Sequence, residues 1–294
     1  MELRVLRYFL VVAQEENITK AAKLLHLTQP TLSRQIRMLE DEFGVALFRR
    51  SKYCVSLTEE GMLLRRRAQE LLELAEKTER DMTRRNDVIS GEIAIGCGET
   101  RNMASMGQAI AAFRQVYPEV QFSVYTGYAD DVTERMERGL VDMGLLIEPV
   151  DISKYHFLHL PLQDQWGVCM REDHRLAGHT SITPADLAGE NLLISSRQSV
   201  RNMLENWLGP ALSTVSIAAY MNVSFYNYQI LTKEGAGLSL LFMLDTLCDG
   251  LCIRPMEPAI VNGSVLAWKK DQILSPAVET FIRWMRNQLG CREP

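Results

Sequence analysis

Residues 17–42, NITKAAKLLHLTQPTLSRQIRMLEDE, contain two short amphipathic segments separated by a brief turn. Asn17 or Thr19 is placed to cap the first segment as a helix. The helical period puts four apolar residues of that helix on one side: Ala21, Ala22, Leu24 and Leu25. Because alanine side chains are small, a neighbouring helix can approach this side closely. The first segment therefore predicts a short helix packed against another.

The second segment has a clear start and two distinct faces. After a turn at His26 and Leu27, Thr28 can cap a helix whose first turn contains Pro30, where a missing N–H costs little. At about 100° per residue, one stripe is apolar: Leu32, Ile36, Leu39 and Phe43. The opposite face is polar and basic: Pro30, Ser33, Arg34 and Arg37. The two segments together predict a helix-turn-helix.

The polar face of the second helix suits DNA recognition. Its N-terminal end can present four side chains to base edges in the major groove: Gln29, Thr31, Ser33 and Arg34. Arg34 can bind a guanine through two hydrogen bonds, whereas Arg37 lies further along and favours a phosphate. Many amphipathic helices have a polar face, so this pattern alone does not decide for DNA.

A basic hairpin follows the helix pair and strengthens that interpretation. Residues 47–58, LFRRSKYCVSLT, contain two short strand-like runs around a turn with Arg49, Arg50 and Lys52. Such a wing can lie along the phosphate backbone. The net charge is −5 for the whole chain, but residues 1–58 carry nine Lys/Arg against six Asp/Glu. The basic character thus coincides with the predicted DNA-binding segment.

Residues 59–89 are predicted to form a linker helix that pairs with a second copy of the chain. Small and apolar residues recur at spacings of three and four, beginning at Gly61. The predicted dimer seam comprises Leu64, Ala68, Leu71, Ala75, Thr78 and Met82. A helix packed on its own domain would show the same spacing, but the charged flanking faces favour a homodimer.

From about residue 90 onward, strand-like runs alternate with helical segments, which is typical of an α/β fold with a largely parallel sheet. A first series contains EIAIGC, QFSVYT and DMGLLI, and a second contains WGVCM, NLLIS, STVSIAAY and LSLLF. VLAWKK and a helix over residues 276–289 follow. The length of 294 residues agrees with more than one folding unit.

The chain resembles the LysR-type transcriptional regulators over its N-terminal stretch RYFLVVAQEENITKAAKLLHLTQPTLSRQIRMLEDEFGVALFRRS. It also resembles them in four later stretches: VDMGLLI, DLAGENLLI, EGAGLSLLF and SPAVETFIRWM. The resemblance implies DNA contacts at Gln29, Pro30, Ser33 and Arg34, and a contact of Arg50 with the DNA backbone. It implies a winged helix-turn-helix over 1–58, then the linker helix over 59–89. Two α/β subdomains like those of type 2 periplasmic binding proteins then follow, I at 90–161 with 268–294 and II at 162–267. It also implies homodimers that assemble into homotetramers on operator DNA.

A small-molecule effector is expected in the cleft between these subdomains, where strand ends and helix N-termini converge. The candidate loops supply eleven residues: Cys97, Gly98, Glu99, Thr100, Thr126, Tyr128, Ile147, Glu148, Ser195, Ser196 and Arg197. The resemblance ranks Thr100 first, whereas Ala129 departs from the family pattern. Arg197 would suit a carboxylate ligand, but Glu99 and Glu148 would suit a cationic or hydroxyl-rich one. The effector chemistry stays open.

Other functional classes have less support. An enzyme is one alternative, but there is no nucleophile elbow, phosphate loop or metal cluster in the sequence. A DNA-binding protein without an effector is another. Cys248 and Cys252 lack further metal-type ligands nearby, and Cys97 is favoured as a small apolar residue over a redox sensor. We expect a cytoplasmic regulator with no metal, cofactor or membrane partner, whose hinge angle changes with the effector.

Overall fold

The computed structural model describes residues 1–50, 55–82, 89–222 and 224–289, with the side chains of residues 50 and 80–82 left out. It divides into two compact units, Met1–Arg84 and Arg85–Pro294. We call them the N-terminal and the C-terminal unit and describe each by itself. Within the described residues, no helix combines the length and the apolar character needed to cross a membrane.

The N-terminal unit contains the predicted helix-turn-helix. Its helices are α1 (Leu3–Glu15), α2 (Ile18–Leu24), α3 (Gln29–Phe43) and α4 (Glu59–Met82). The side chain of Asn17 accepts a hydrogen bond from the backbone N–H of Lys20, and Thr28 caps α3 in the same way. Strands β1 (Phe48–Arg50) and β2 (Val55–Leu57) pair antiparallel as the predicted hairpin.

A single core holds these elements together. Phe9, Leu32 and Ile36 are fully buried in it, together with both alanines of α2. Two residues of the predicted apolar faces lie outside this core. Leu24 is 60% exposed because it ends α2 beyond the packed face, and Phe43 is 42% exposed because the chain leaves α3 at Gly44, which has a φ of 67°.

Helix α4 belongs to this same core, which divides the predicted dimer seam. Leu64 packs against the core, and Ala68 is 0% exposed within it. The prediction that Ala68 faces a partner chain is therefore wrong, because the unit's own core covers it. Leu71 and Thr78 are exposed, Ala75 is half-buried, and the side chain of Met82 lies outside the described residues.

An exposed apolar stripe runs beside the buried face of α4. Leu63, Leu71 and Leu74 are exposed large side chains, and at 3.6 residues per turn they lie within about 80° of one another. The sequence reasoning missed Leu63 and Leu74, since it centred the seam on the face that α4 turns to its own core. Met62 is exposed on the opposite side of the helix.

In the C-terminal unit, subdomain I is built on a sheet with the strand order β4-β3-β5-β13-β6. The bounds are β3 Gly91–Cys97, β4 Val120–Thr126, β5 Met143–Ile147, β6 Tyr155–His159 and β13 Ser264–Lys269. Helices α5 (Asn102–Val116), α6 (Ala129–Glu137) and α9 (Pro276–Gln288) belong to this subdomain. Strands β3, β4 and β5 are parallel, whereas β13 is antiparallel to both neighbours, so the sheet is mixed.

Subdomain II repeats this plan with the order β11-β7-β10-β8-β9, and β12 (Val261–Asn262) pairs with β7. The bounds are β7 Asp164–Arg171, β8 Asn191–Ser195, β9 Ser216–Met221, β10 Leu238–Phe242 and β11 Leu251–Pro255. Its helices are α7 (Gln198–Leu208) and α8 (Phe225–Lys233). Strands β6, β11 and β12 were not predicted from the sequence.

The chain crosses between the subdomains at two places. The first crossing precedes Asp164, where β7 begins. The second crossing precedes Ser264, where β13 starts and pairs with β5 in subdomain I, so the subdomain boundary expected at residue 268 lies too late. Residues 264–267 therefore belong to subdomain I rather than to subdomain II.

Gly61 gives a test of how α4 joins the N-terminal core. A Cβ at this position would lie 2.1 Å from the backbone oxygen of Leu47. Gly61→Ala should therefore force a backbone shift and destabilise this unit by about 1 to 3 kcal/mol. Thermal unfolding followed by circular dichroism measures the effect.

Gly107→Ala in α5 is the matched control, because a Cβ there meets nothing within 4 Å. We expect it to leave stability unchanged or to raise it by about 0.5 to 1 kcal/mol, since alanine is the better helix former. If Gly61→Ala were as stable as the wild type, this result would show that α4 does not begin against the backbone of Leu47.

Candidate functional site

The outward face of α3 is available for contact with another molecule. Gln29, Pro30, Thr31, Arg34 and Arg37 are exposed, and Ser33 is half-buried. The hydroxyls of Thr28 and Thr31 lie 2.8 Å apart and share a hydrogen bond. Within the part of the chain that the structure describes, neither Arg34 nor Arg37 forms an ion pair. Both guanidinium groups are thus free to bind an external acceptor.

The hairpin places Arg49 at an exposed position of β1. Lys52 and the side chain of Arg50 lie outside the described residues, so their predicted contacts with the phosphate backbone of DNA stay predictions. At the N-terminus of α3, backbone N–H groups and the helix dipole add a positive potential beside the exposed face. The described part of this surface combines hydrogen-bonding side chains with unpaired positive charge.

The second candidate site is a cavity of about 110 Å³ between the subdomains of the C-terminal unit. Seven of the predicted residues line it: Gly98, Glu99, Tyr128, Ile147, Glu148, Ser195 and Arg197. They come from the ends of β3, β4, β5 and β8, where strand ends and helix starts meet. The cavity is not filled by the protein's own side chains.

Four predicted residues are not part of the cavity lining. Cys97 and Thr100 are buried, while Thr126 and Ser196 are exposed outside the cavity. Burial is the main cause that raises the pKa of the Cys97 thiol, which disfavours the reactive thiolate. Cys97 packs in the core of subdomain I, in agreement with the interpretation as a small apolar residue.

Thr100, ranked first from the family resemblance, points to a different partner. Its hydroxyl donates a hydrogen bond to the carboxyl group of Asp164, and the backbone N–H of Arg101 donates to the other oxygen at 2.9 Å. Asp164 starts β7 and is 0% exposed. The prediction of Thr100 as a cavity-lining contact is wrong, because its hydroxyl is used in joining the two subdomains.

The same junction contains Asn102, the first residue of α5. Its side-chain amide donates to the backbone oxygen of Leu162 at 2.6 Å and to Oγ of Ser264 at 2.7 Å. Its side-chain oxygen accepts from the N–H of Leu162 at 3.1 Å. Since Leu162 and Ser264 lie on the two crossings, one buried side chain holds both.

Across the cleft, polar groups of the two subdomains are bonded to each other. Tyr128 donates its hydroxyl to the backbone oxygen of Met221 at 2.7 Å and accepts from Ser195 Oγ at 2.9 Å. Arg197 donates to both carboxylate oxygens of Asp130, at 3.0 and 3.2 Å. These bonds join the two subdomains beside the cavity.

The sequence reasoning missed the apolar wall of the cavity. Its members come from the cleft-facing ends of strands and from helices α7 and α8: Trp166, Val200, Met203, Phe225, Leu240 and Phe242. Most of these belong to ordinary strand-like or helical runs, so no local signal separates them from the core. Ala129 does line the cavity, but the neighbouring Tyr128 hydroxyl is already bonded to protein groups.

Metal and disulfide chemistry find no support in the described residues. No group of three or more His, Cys, Asp or Glu side chains there is arranged to hold a metal ion. Cys97, Cys169, Cys248 and Cys252 are free thiols, and burial raises the pKa of Cys169 to about 12. A thiol with that pKa stays protonated near neutral pH.

Two family models match the chain. The one described as bacterial regulatory helix-turn-helix protein, lysR family, matches residues 3–62. The one described as LysR substrate binding domain matches residues 86–290, which is more than half of the chain.

Known proteins resemble the chain along its whole length. The Hca operon transcriptional activator HcaR of Escherichia coli (strain K12) is 29% identical, over 99% of this chain and 99% of its own. The crystal structure of HinK, a LysR family transcriptional regulator from Pseudomonas aeruginosa, is 30% identical with a TM-score of 0.54, covering 98% of both chains. CbnR, a LysR family transcriptional regulator, shares the fold with a TM-score of 0.76 at 20% identity, covering 100% of both chains.

The buried junction predicts a pH-dependent stability of the C-terminal unit. Burial is the largest influence on the pKa of Asp164 and raises it above the usual aspartate range. The folded protein then holds this proton more tightly than the unfolded chain. The stability that protonated Asp164 contributes is complete below the pKa of this carboxyl group in the unfolded chain. It is lost as the pH rises through the pKa of the same group in the folded protein.

Asp164→Asn keeps the shape of this side chain but removes its ionisation. We expect the wild type to lose stability relative to this variant as the pH rises from about 4 to about 8. Thermal unfolding at several pH values measures the difference, with Asp271→Asn on the exposed surface as the matched control. A difference that is constant with pH would contradict a raised pKa.

Proposed function

The chain belongs to the LysR family of bacterial transcriptional regulators, and we propose that a small molecule in its cleft controls how it binds operator DNA. It is a DNA-binding regulator with an effector-binding domain, and its family is not one of enzymes. The observation that carries the proposal is the cavity between the subdomains, lined by residues of both. Such interdomain cavities are where small ligands bind.

For operator recognition, we assign base reading to the N-terminal end of α3. Its exposed side chains have the length and chemistry to reach base edges, and Arg34 has no protein partner among the described residues. Arg37 lies one turn later and is assigned to a phosphate. A crystal structure of full-length CbnR complexed with its target DNA is known, and CbnR shares the fold of this chain.

For assembly, we propose that the exposed stripe of Leu63, Leu71 and Leu74 on α4 packs against the same stripe of a second copy. Burying exposed apolar side chains at helical spacing between two helices removes them from water and lowers the free energy. A dimer then presents two copies of α3 to half-sites about 34 Å apart or a multiple of this distance. Further assembly into tetramers is part of the same proposal.

Effector control is assigned to the bonds across the cleft. A ligand shifts the closure of the subdomains only as far as it binds one arrangement better than another. The bonds of Tyr128 and Arg197 across the cleft differ between a closed and an open arrangement, so ligand groups that replace or reinforce them change the balance. Altered closure would change the spacing of DNA-binding units and the bending of DNA.

Arg34→Ala tests base reading. If Arg34 binds a guanine, the variant should lose about 1 to 3 kcal/mol of discrimination between operator and unrelated DNA. Arg37→Ala should instead weaken binding to every DNA alike. Selection from random-sequence DNA with the wild type yields an operator, and binding of both DNAs at fixed salt gives the discrimination. Equal losses of Arg34→Ala on both DNAs would make Arg34 a phosphate contact.

Leu71→Glu tests the proposed dimer surface. A buried carboxylate without a partner is strongly unfavourable, so the variant should shift the protein towards smaller assemblies. Met62→Glu is the matched control, since Met62 is also an exposed apolar residue but lies on the opposite face of α4. Sedimentation over a range of concentrations measures the assembly state. The proposed surface fails if Leu71→Glu sediments like the wild type.

A further inference from the structure

Among the described residues, three charged side chains line the cavity, and the protein itself binds two of them. Arg197 is paired with Asp130 and also donates to the backbone oxygen of Pro149 at 3.2 Å. Glu99 accepts a hydrogen bond of 2.6 Å from the backbone N–H of Phe225, the first residue of α8. The positive charge of Arg197 is therefore already compensated before any ligand binds.

Glu148 is the third charged group, and its carboxylate has no hydrogen bond or ion pair with any other described residue. It follows β5, is half-buried and lines the cavity. Its carboxylate lies over Gly263, where a Cβ would come within 2.7 Å of Oε2. The absence of a side chain at Gly263 thus leaves room for this carboxylate.

The backbone around Glu148 is held in place. Its N–H donates to the oxygen of Gly263 at 3.0 Å, and its own oxygen accepts from the Asn262 side chain at 2.8 Å. Asn262 in turn accepts a hydrogen bond of 2.6 Å from Nε1 of Trp166. The backbone of Glu148 is therefore linked to the indole of Trp166 through the side chain of Asn262.

Aromatic and aliphatic side chains line the same cavity as this carboxylate. The rings of Trp166 and Phe242, both in the cavity lining, lie 4.6 Å apart between centroids. Leu145 and Met203 add aliphatic surface. Aromatic faces attract cations, and the apolar lining favours a ligand with an apolar body.

We propose that the cavity binds an organic cation with a compact apolar body, such as a protonated primary amine. The ammonium group pairs with Glu148, and the apolar body packs against Trp166 and Phe242. An anion would meet the carboxylates of Glu99 and Glu148 and find the guanidinium of Arg197 already bound to Asp130. This inference rests on the proposed function, in which the cavity holds the effector.

A series of three ligands with the same ring tests the charge preference: benzylamine, benzyl alcohol and benzoate. Calorimetric titration of the full-length protein should give the tightest binding for benzylamine. Glu148→Gln keeps the side-chain shape and removes the charge, and it should weaken benzylamine binding by about ten- to a hundredfold. Its affinity for benzyl alcohol should not change.

Glu257→Gln is the matched control, because Glu257 also precedes a proline but is exposed outside the cavity lining. It should bind all three ligands like the wild type, and thermal unfolding verifies that both variants are folded. Equal benzylamine affinity in wild type and Glu148→Gln would overturn the proposal, as would tighter binding of benzoate. In either case bound ligand would still support an effector cavity. If none of the three ligands bound, the result would count against both the proposed effector cavity and its preference for a cation.

Discussion

The side chain of Asn102 holds both chain crossings of the C-terminal unit, and the shape of the cleft depends on this junction. Asn102 is 0% exposed and uses its amide nitrogen and its oxygen on Leu162 and Ser264. Asp164 extends the junction to Thr100 and is equally buried. Leaving one of these groups unpaired would cost about 1 to 3 kcal/mol, so the junction resists rearrangement. A change of closure such as the one proposed would therefore act mainly on contacts further out in the cleft.

Those outer contacts are individually weak. The Arg197 side chain is 7% exposed, but its partner Asp130 is 72% exposed, so water screens this ion pair. The bonds of Tyr128 to Ser195 and Met221 are neutral hydrogen bonds, each of which contributes about 0.5 to 1.5 kcal/mol. Useful coupling between two sites needs only about 1 to 3 kcal/mol. A fully paired junction beside a few weak bonds thus suits a ligand-dependent change of closure.

How far the sequence predicts this structure depends on the range of the interaction. Thr28 caps α3 through its own turn, so the start of that helix was predicted correctly. Thr100 was assigned wrongly because its partner Asp164 is 64 residues away, and no local pattern pairs them. Ala68 shows a similar limit, since a helical stripe does not reveal whether its own unit or a second chain covers it.

The ligand chemistry of the cleft shows why a list of site residues is not enough. Read from the sequence, Arg197 favours an acid while Glu99 and Glu148 favour a cation, and nothing decides between them. The deciding residue is Asp130, which does not line the cavity but binds Arg197 from the first turn of α6. Once Arg197 is paired with Asp130, the lining residues present negative charge to a ligand, and the guanidinium group of Arg197 no longer balances it. The charge that a cavity presents therefore depends on partners outside its lining, and these become visible only when the fold is known.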